Sequence, residues 1–322
     1  MAVYTEVRFD DADALGRSLG LGPLTELRPI RAGIENTNYY ASTARGQWVL
    51  TLFERLERAQ LPYYLRLMQH LAGHGIPVPA PQAAPDGELL HTLAGKPAAI
   101  VTRLPGSHRL APDADHCAQL GAMLGRMHVA ARDFALQQPH LRGLAWWVQV
   151  APELRPQLDA QQTALLHDEL AFQQQLASSA AGRALPRGPI HADLFRDNAM
   201  FDDTAGEDRL CGIFDFYFAG TDALLFDLAV CLNDWCTDPA DGRLVDERAH
   251  ALVAAYERAR PLDGTERRLL PALLRAAALR FWLSRLWDWH QPRSATLLQP
   301  KEPAHFERIL RRRAASAWHP LP

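Results

Sequence analysis

Long apolar runs are missing from this sequence. None approaches the roughly eighteen consecutive apolar residues of a membrane-spanning helix, and the opening stretch MAVYTEVRFDDADALGRS carries acids and no apolar core of a secretory signal. A soluble, cytoplasmic protein is the expectation. Cysteine is scarce as well. Four residues (Cys117, Cys211, Cys231 and Cys236) in 322 do not make a disulfide framework, and Cys231 and Cys236 have no neighbours at ligand spacing for a zinc site. They read as thiols. Nor is there an excess of charge of one sign. With 34 Lys plus Arg against 37 Asp plus Glu, no global field favours nucleic acid or an acidic membrane surface. An anionic ligand must therefore be held locally. Internal repeats and low-complexity tracts are absent too.

What is present is a large apolar fraction, 48% of 322 residues, enough to bury one big domain or two lobes. Residues 33–54 suggest a glycine-led turn and a hairpin, with alternating, aromatic and β-branched residues through Tyr39, Tyr40, Trp48, Val49 and Leu50. Residues 61–71 carry Leu61, Leu65, Met68 and Leu71 near helical spacing, and Gly73, Gly75, Pro77 and Pro79 end that helix. A buried strand over 97–105 runs into a Pro-Gly turn. We place a boundary there, with residues 1–103 as a small β-rich nucleotide-binding lobe and 104–322 as a larger, mostly helical catalytic and substrate-binding lobe. Helices are expected over 113–131, from 224 to 232, from 269 to 289 and up to Arg311, Arg312 and Arg313, whose charges suit a helix carboxyl end.

The stretch His191-Ala-Asp193-Leu-Phe-Arg-Asp-Asn198 interrupts this helical rhythm. It follows a short apolar strand, and 22 residues after Asp193 a second apolar strand contains Asp215. Phosphoryl transfer to an alcohol needs charge neutralisation and positioning more than covalent chemistry. Asn198 and Asp215 offer the hard oxygens that Mg2+ takes from protein, and Asp193 can orient an acceptor hydroxyl or accept its proton.

On these residues the chain resembles the aminoglycoside-phosphotransferase-like small-molecule kinases, which are distant relatives of protein kinases. Within that group it is most similar to the homoserine kinases of this fold. The blocks that carry the likeness are Gly33-Ile-Glu-Asn-Thr-Asn-Tyr39, Val49-Leu-Thr-Leu52, His191 to Asn198, Ile213-Phe-Asp-Phe-Tyr217, Leu232-Asn-Asp-Trp-Cys236 and Arg280-Phe-Trp-Leu-Ser-Arg285. The resemblance implies a bilobal α+β protein-kinase-like fold, with a small antiparallel sheet in the first lobe and a mostly helical second lobe. It implies an ATP-dependent homoserine kinase of threonine biosynthesis, with Asp193 as base, Asn198 and Asp215 as Mg2+ ligands, His191 in support and Asp227 as a buried carboxylate behind the loop. ATP would enter under the loop at Gly33, contacting Asn36, Thr37 and Asn38, with its adenine near Val101 and Arg103.

Two departures from the protein-kinase pattern carry information. The helical pattern resumes at Phe226, only 11 residues after Asp215, which leaves no room for a long activation loop and disfavours a protein substrate. The strand over 47–53 also lacks the usual lysine, with Thr51 near its place, and the following helix lacks the glutamate that would pair with it. Arg31 and Arg66 are candidate replacements for the phosphates. For the acceptor, Asp234, Trp235, Arg280 and Arg285 are candidate contacts to an ammonium and a carboxylate. Trp235, Trp282, Trp287 and Trp289 would alternatively suit a choline-type cage. By residue type alone, homoserine, choline, ethanolamine and methylthioribose stay open, as does a pseudokinase. Oligomeric state is not legible.

Overall fold

Alternating apolar side chains between Leu24 and Thr102 build a five-stranded antiparallel sheet in the computed structural model, which describes residues 5–30, 36–204, 206–290 and 301–320. The chain divides into two compact units. The first comprises residues up to Pro105 together with Gly212–Phe214. It contains α1 (Phe9–Ser18), β1 (Leu24–Pro29), β2 (Thr37–Thr43), β3 (Gly46–Leu52), α2 (Leu61–Gly73), β4 (His91–Leu93) and β5 (Lys96–Thr102), with sheet order β1-β2-β3-β5-β4.

Strand alternation sorts this sheet into two faces. Tyr39, Ala41, Leu50, Leu52, Ala98 and Ile100 join Val7, Ala12 and Leu21 in one apolar cluster under α1. The residues between them, Asn38, Tyr40, Val49, Thr51, Ala99 and Val101, project to the opposite face, in cross-strand rows Asn38–Thr51–Ala99 and Tyr40–Val49–Val101.

The second unit contains α3 (Ala114–Ala130), α4 (Leu144–Leu154), α5 (Ala160–Ser178), α6 (Ala180–Arg183), β6 (Arg187–Ile190), β7 (Ala199–Asp202), β8 (Arg209–Ile213) up to Cys211, β9 (Gly220–Ala223), α7 (Leu224–Trp235), α8 (Asp246–Ala259), α9 (Gly264–His290) and α10 (Ala304–Ala315). Asp113 caps α3 by accepting the His116 N–H at 2.9 Å, and the His116 ring answers at the Asp113 N–H. Gly121 and Gly125 let α3 lie directly on α8. A methyl at Gly125 would stand 2.8 Å from the Tyr256 carbonyl, and one at Gly121 would overlap the Leu252 carbonyl. Every residue of α7 is buried, and α9 packs along it. β6 pairs with β9, and β7 with β8. Between Asp215 and α7 the chain makes only a 3-10 turn, Phe216–Phe218, and β9.

One difference from expectation concerns the basic carboxyl-terminal helix. Arg313 does not merely complement a helix end: it is buried, donating to Asn233 Oδ1 (3.0 Å), the Gly242 carbonyl (2.9 Å) and Thr237 Oγ1 (2.8 Å). Burial lowers its pKa to about 10. Among the described residues, no helix is long and apolar enough to cross a membrane.

Candidate active site

The loop 191–198 leaves β6 at the buried Ile190 and is shaped by one stripe of α7. Asp227, Cys231, Asp234 and Trp235 recur at i, i+4, i+7 and i+8, so they face the same way. Asp227 accepts the backbone N–H groups of His191 (2.7 Å) and Ala192 (2.8 Å). The Cys231 thiol and the Trp235 indole N–H both donate to the Leu194 carbonyl, at 3.6 and 3.1 Å. Asp234 accepts the backbone N–H (2.8 Å) and Nε (3.1 Å) of Arg196. Ala192 is held at φ +64°, a left-handed conformation unfavourable for a residue with a Cβ and stable only because its surroundings impose it.

Asp227 is itself completely buried, which alone would raise its pKa. The His128 ring at 3.2 Å and the two backbone donors outweigh that and hold it below the usual carboxylate range. A polar chain continues behind it: His128 Nδ1 meets the Tyr256 hydroxyl at 2.8 Å, Tyr256 accepts from Arg260 at 3.1 Å, and Arg260 pairs with Glu266 at 2.9 Å.

The loop presents Asp193. Asn198 Nδ2 donates to its carbonyl at 2.7 Å and lies 3.4 Å from its Oδ2, while Arg280 Nη1 stands 3.5 Å from Oδ1. Burial raises the Asp193 pKa to about 7. Arg280 opposes the shift, and the charges of Asp215 and Asp197 add to it. With its amide nitrogen engaged by Asp193, Asn198 has Oδ1 left as an acceptor. Asp215 sits at φ +65°, at the start of the turn after β8. An amide oxygen and a carboxylate are the donor set Mg2+ accepts, so these residues fit that ion chemically. His191 is buried against Phe216 (4.5 Å between ring centroids), and its Nδ1 accepts the Asp193 N–H at 3.3 Å.

Arg280, on α9, is buried over Phe281 (3.8 Å) and Phe218 (5.1 Å), and its Nε and Nη2 have no hydrogen-bond partner among the described residues. Burial brings its pKa down to about 10, and Asp193 pulls the other way. Arg285 donates to the Glu302 carbonyl at 3.1 Å and lies over Phe306. Lys301 Nζ is 3.1 Å from Asp197 Oδ2. Of the remaining expected acceptor contacts, Asp234 and Trp235 are both occupied in holding the loop. The four tryptophans do not converge on a cage: Trp235 and Trp282 have no exposed surface, and Trp289 is 48% exposed. Asn233, in the same block, donates to the Leu274 carbonyl and accepts from Arg313, so it ties α7 to α9 and α10.

In the first unit, Gly33 and Arg31 lie outside the described residues. Asn36 is buried, with no partner for Oδ1 among the described residues. Thr37 donates to Glu54 at 2.7 Å. Asn38 accepts from Thr51 at 2.8 Å, on the face away from α1. Val101 is buried on that same face, and Arg103 stacks over Tyr40 at 4.3 Å, with Arg28 at 5.0 Å from the same ring. Arg66 is tied to Gln69 and the Gly87 carbonyl. A Lys–Glu pair does exist here, Lys96 to Glu54 at 3.1 Å. Lys96 shares its strand parity with Ala98 and Ile100, on the α1 side, so it cannot take over from Thr51. Sequence reasoning missed Cys231, whose thiol helps to hold the loop at the Leu194 carbonyl; no motif surrounds it.

Residues 26–262 match the model of the phosphotransferase enzyme family. The chain is 56% identical to a homoserine kinase of Polaromonas naphthalenivorans over 318 residues, covering 99% of both chains. It is 52% identical to a homoserine kinase of Burkholderia mallei over 321 residues, covering 98% of this chain and 97% of the relative. Among solved structures, it is similar to an amicoumacin kinase bound to AMP-PNP, Ca2+ and Ami (TM-score 0.68, 18% identity, 90% of this chain and 89% of that one). It is also similar to a Plasmodium vivax ethanolamine kinase (TM-score 0.61, 12% identity, 90% and 82%). At these identities the structures bear on fold alone.

Proposed function

Because the chain belongs to the phosphotransferase enzyme family, among its homoserine kinases, we propose that Asp193 serves the ATP-dependent phosphorylation of L-homoserine as the group that orients and deprotonates the acceptor hydroxyl. The enzyme transfers the γ-phosphoryl group of ATP to that hydroxyl and forms O-phospho-L-homoserine, a step of threonine biosynthesis. The observation that carries the residue assignment is the state of Asp193: a buried carboxyl with a pKa of about 7, held by Asn198 and faced by Arg280.

A base of that pKa is matched to neutral pH, where it is substantially ionised yet still basic enough to take a proton late in the transfer. Asn198 holds Asp193 through Nδ2 and, with Asp215, would hold Mg2+. When bound, that ion would offset charge on the nucleotide phosphates. The α7 stripe keeps the loop from relaxing its left-handed residue. Arg280 supplies a cation for the acceptor's carboxylate, and Arg285 adds positive charge beside the loop. Asn36, Thr37, Asn38, Val101 and Arg103, with Gly33, make up the nucleotide-contacting set. The acceptor is a small molecule.

ADP release measured with homoserine, choline, ethanolamine, methylthioribose and an aminoglycoside tests this reading. Turnover with homoserine, lost in Asp193→Ala while Mg-ATP still binds, is the expected result. Turnover with choline alone would sink the acceptor, and nucleotide binding without any turnover would mark a pseudokinase.

A further inference from the structure

The buried polar chain behind Asp227 has a direction, and donor chemistry sets it. Helices α3 and α8 touch at Gly125, where a methyl would stand 2.8 Å from the Tyr256 carbonyl. One turn further along α3, the Tyr256 hydroxyl meets His128 Nδ1 at 2.8 Å. Arg260 follows Tyr256 by four residues and donates from Nη1 to the same hydroxyl oxygen at 3.1 Å. A guanidinium can only donate. Tyr256 therefore accepts there, and its own proton is left for its one other partner among the described residues, His128 Nδ1. A neutral imidazole that accepts at Nδ1 carries its proton on Nε2. That nitrogen faces Asp227 Oδ2 at 3.2 Å, where the carboxylate needs a donor.

The other arrangements leave a group unserved. With a proton on Nδ1, the Tyr256 hydroxyl would meet two donors and have no acceptor for its own hydrogen. In the neutral ring a bare Nε2 lone pair would also face the Asp227 carboxylate. Bulk water does not relieve either fault, because Tyr256 and Asp227 have no exposed surface and His128 has only 2%. Arg260 stays charged at this depth because Glu266 pairs with it at 2.9 Å. Each member thus sets the next: Arg260 sets Tyr256, Tyr256 sets His128, and His128 supplies Asp227. Asp227 also accepts the His191 and Ala192 N–H groups, and Ala192 is the left-handed residue directly before Asp193.

We propose that Tyr256 and Arg260 are positioning residues for the transfer: Arg260 makes the Tyr256 hydroxyl a donor, Tyr256 keeps the His128 proton on Nε2, and through Asp227 this holds the backbone that presents Asp193. The proposal rests on Asp193 being the base. Two readouts test it. In protein labelled with [15N]histidine, with His128 identified by the signals missing in His128→Gln, proton–nitrogen NMR should show Nε2 protonated and Nδ1 bare. The paired change Arg260→Met with Glu266→Gln leaves no buried charge unmatched and frees Tyr256 to accept, so a proton should then appear on Nδ1. In steady-state assays Tyr256→Phe, which removes one oxygen and no packing, should lower kcat roughly 10-fold with the KM values for homoserine and ATP unchanged. His128→Gln offers Asp227 an amide donor that has no tautomer to set, so Tyr256→Phe should lower kcat no further in that background. The proposal is overturned if wild-type His128 is protonated on Nδ1, or if the paired change leaves its nitrogens as they were. It is equally overturned if Tyr256→Phe lowers only the thermal midpoint and not kcat, or lowers kcat alike in both backgrounds. Turnover surviving Asp193→Ala would instead remove the base assignment, while the nitrogen signals, read without substrate, still decide whether Arg260 and Tyr256 set His128.

Discussion

Asp193 is surrounded by opposing influences: burial and Asp215 favour its protonated form, and Arg280 favours its charge. With the ionised form as the proposed base, activity is expected to rise with pH through about 7 and then level off. A kcat/KM profile against pH should show that acidic limb. Arg280→Gln removes the influence that lowers the Asp193 pKa, so the limb should move to higher pH while the KM for homoserine increases. An unmoved limb would detach Arg280 from the base. These residues were legible in different degrees. Asp193, Asn198 and Asp215 announce themselves by spacing and by the apolar strands around them. Cys231 does not, because a lone thiol in an apolar run is chemically ordinary until the fold brings it to the Leu194 carbonyl. Asp234 and Trp235 read as acceptor contacts by type, yet both have partners in the loop itself.

At the scale of elements, α7 is a template whose one stripe fixes the loop, so its variants should act through positioning. Asp227→Asn is expected to destabilise the fold by about 3 kcal/mol, since a buried carboxylate serving two backbone N–H groups and His128 has no equivalent replacement. Denaturant unfolding measures this. Asp234→Asn loosens Arg196 and should lower kcat more than it raises the KM for homoserine. The opposite split would restore Asp234 as an acceptor contact. Helices with an apolar stripe were readable in advance: the 61–71 pattern became α2 and the 113–131 pattern became α3. β1 was not readable, because as an edge strand it buries only one of its six residues, and β4 is only three residues long. α5 was hidden for another reason. Its buried face includes Glu169 and Gln173, with Glu169 paired to Arg275 at 2.7 Å, so its periodicity is partly polar.

For the whole molecule, the short connection from Asp215 through β9 to α7 leaves no segment of activation-loop length, in keeping with a small acceptor. Metal dependence also belongs at this scale. Only Asn198 and Asp215 are assigned to Mg2+, too few protein ligands for a tight site without phosphate oxygens. A chelator should abolish turnover, yet leave the thermal midpoint of the nucleotide-free protein unchanged. A lowered midpoint would reveal a structural ion.

The sequence contains only two lysines, Lys96 and Lys301, one paired to Glu54 on the α1 side of the sheet and the other to Asp197 in the loop of Asp193. Amine-directed acylation therefore has just two side-chain targets. Neutralising Lys301 leaves Asp197 in the loop of Asp193 without its counter-charge, whereas acylating Lys96 leaves Glu54 of the first unit without its own. The same chemistry can thus serve as inactivator or as anchor, and peptide mapping of the acylated lysine tells which has occurred.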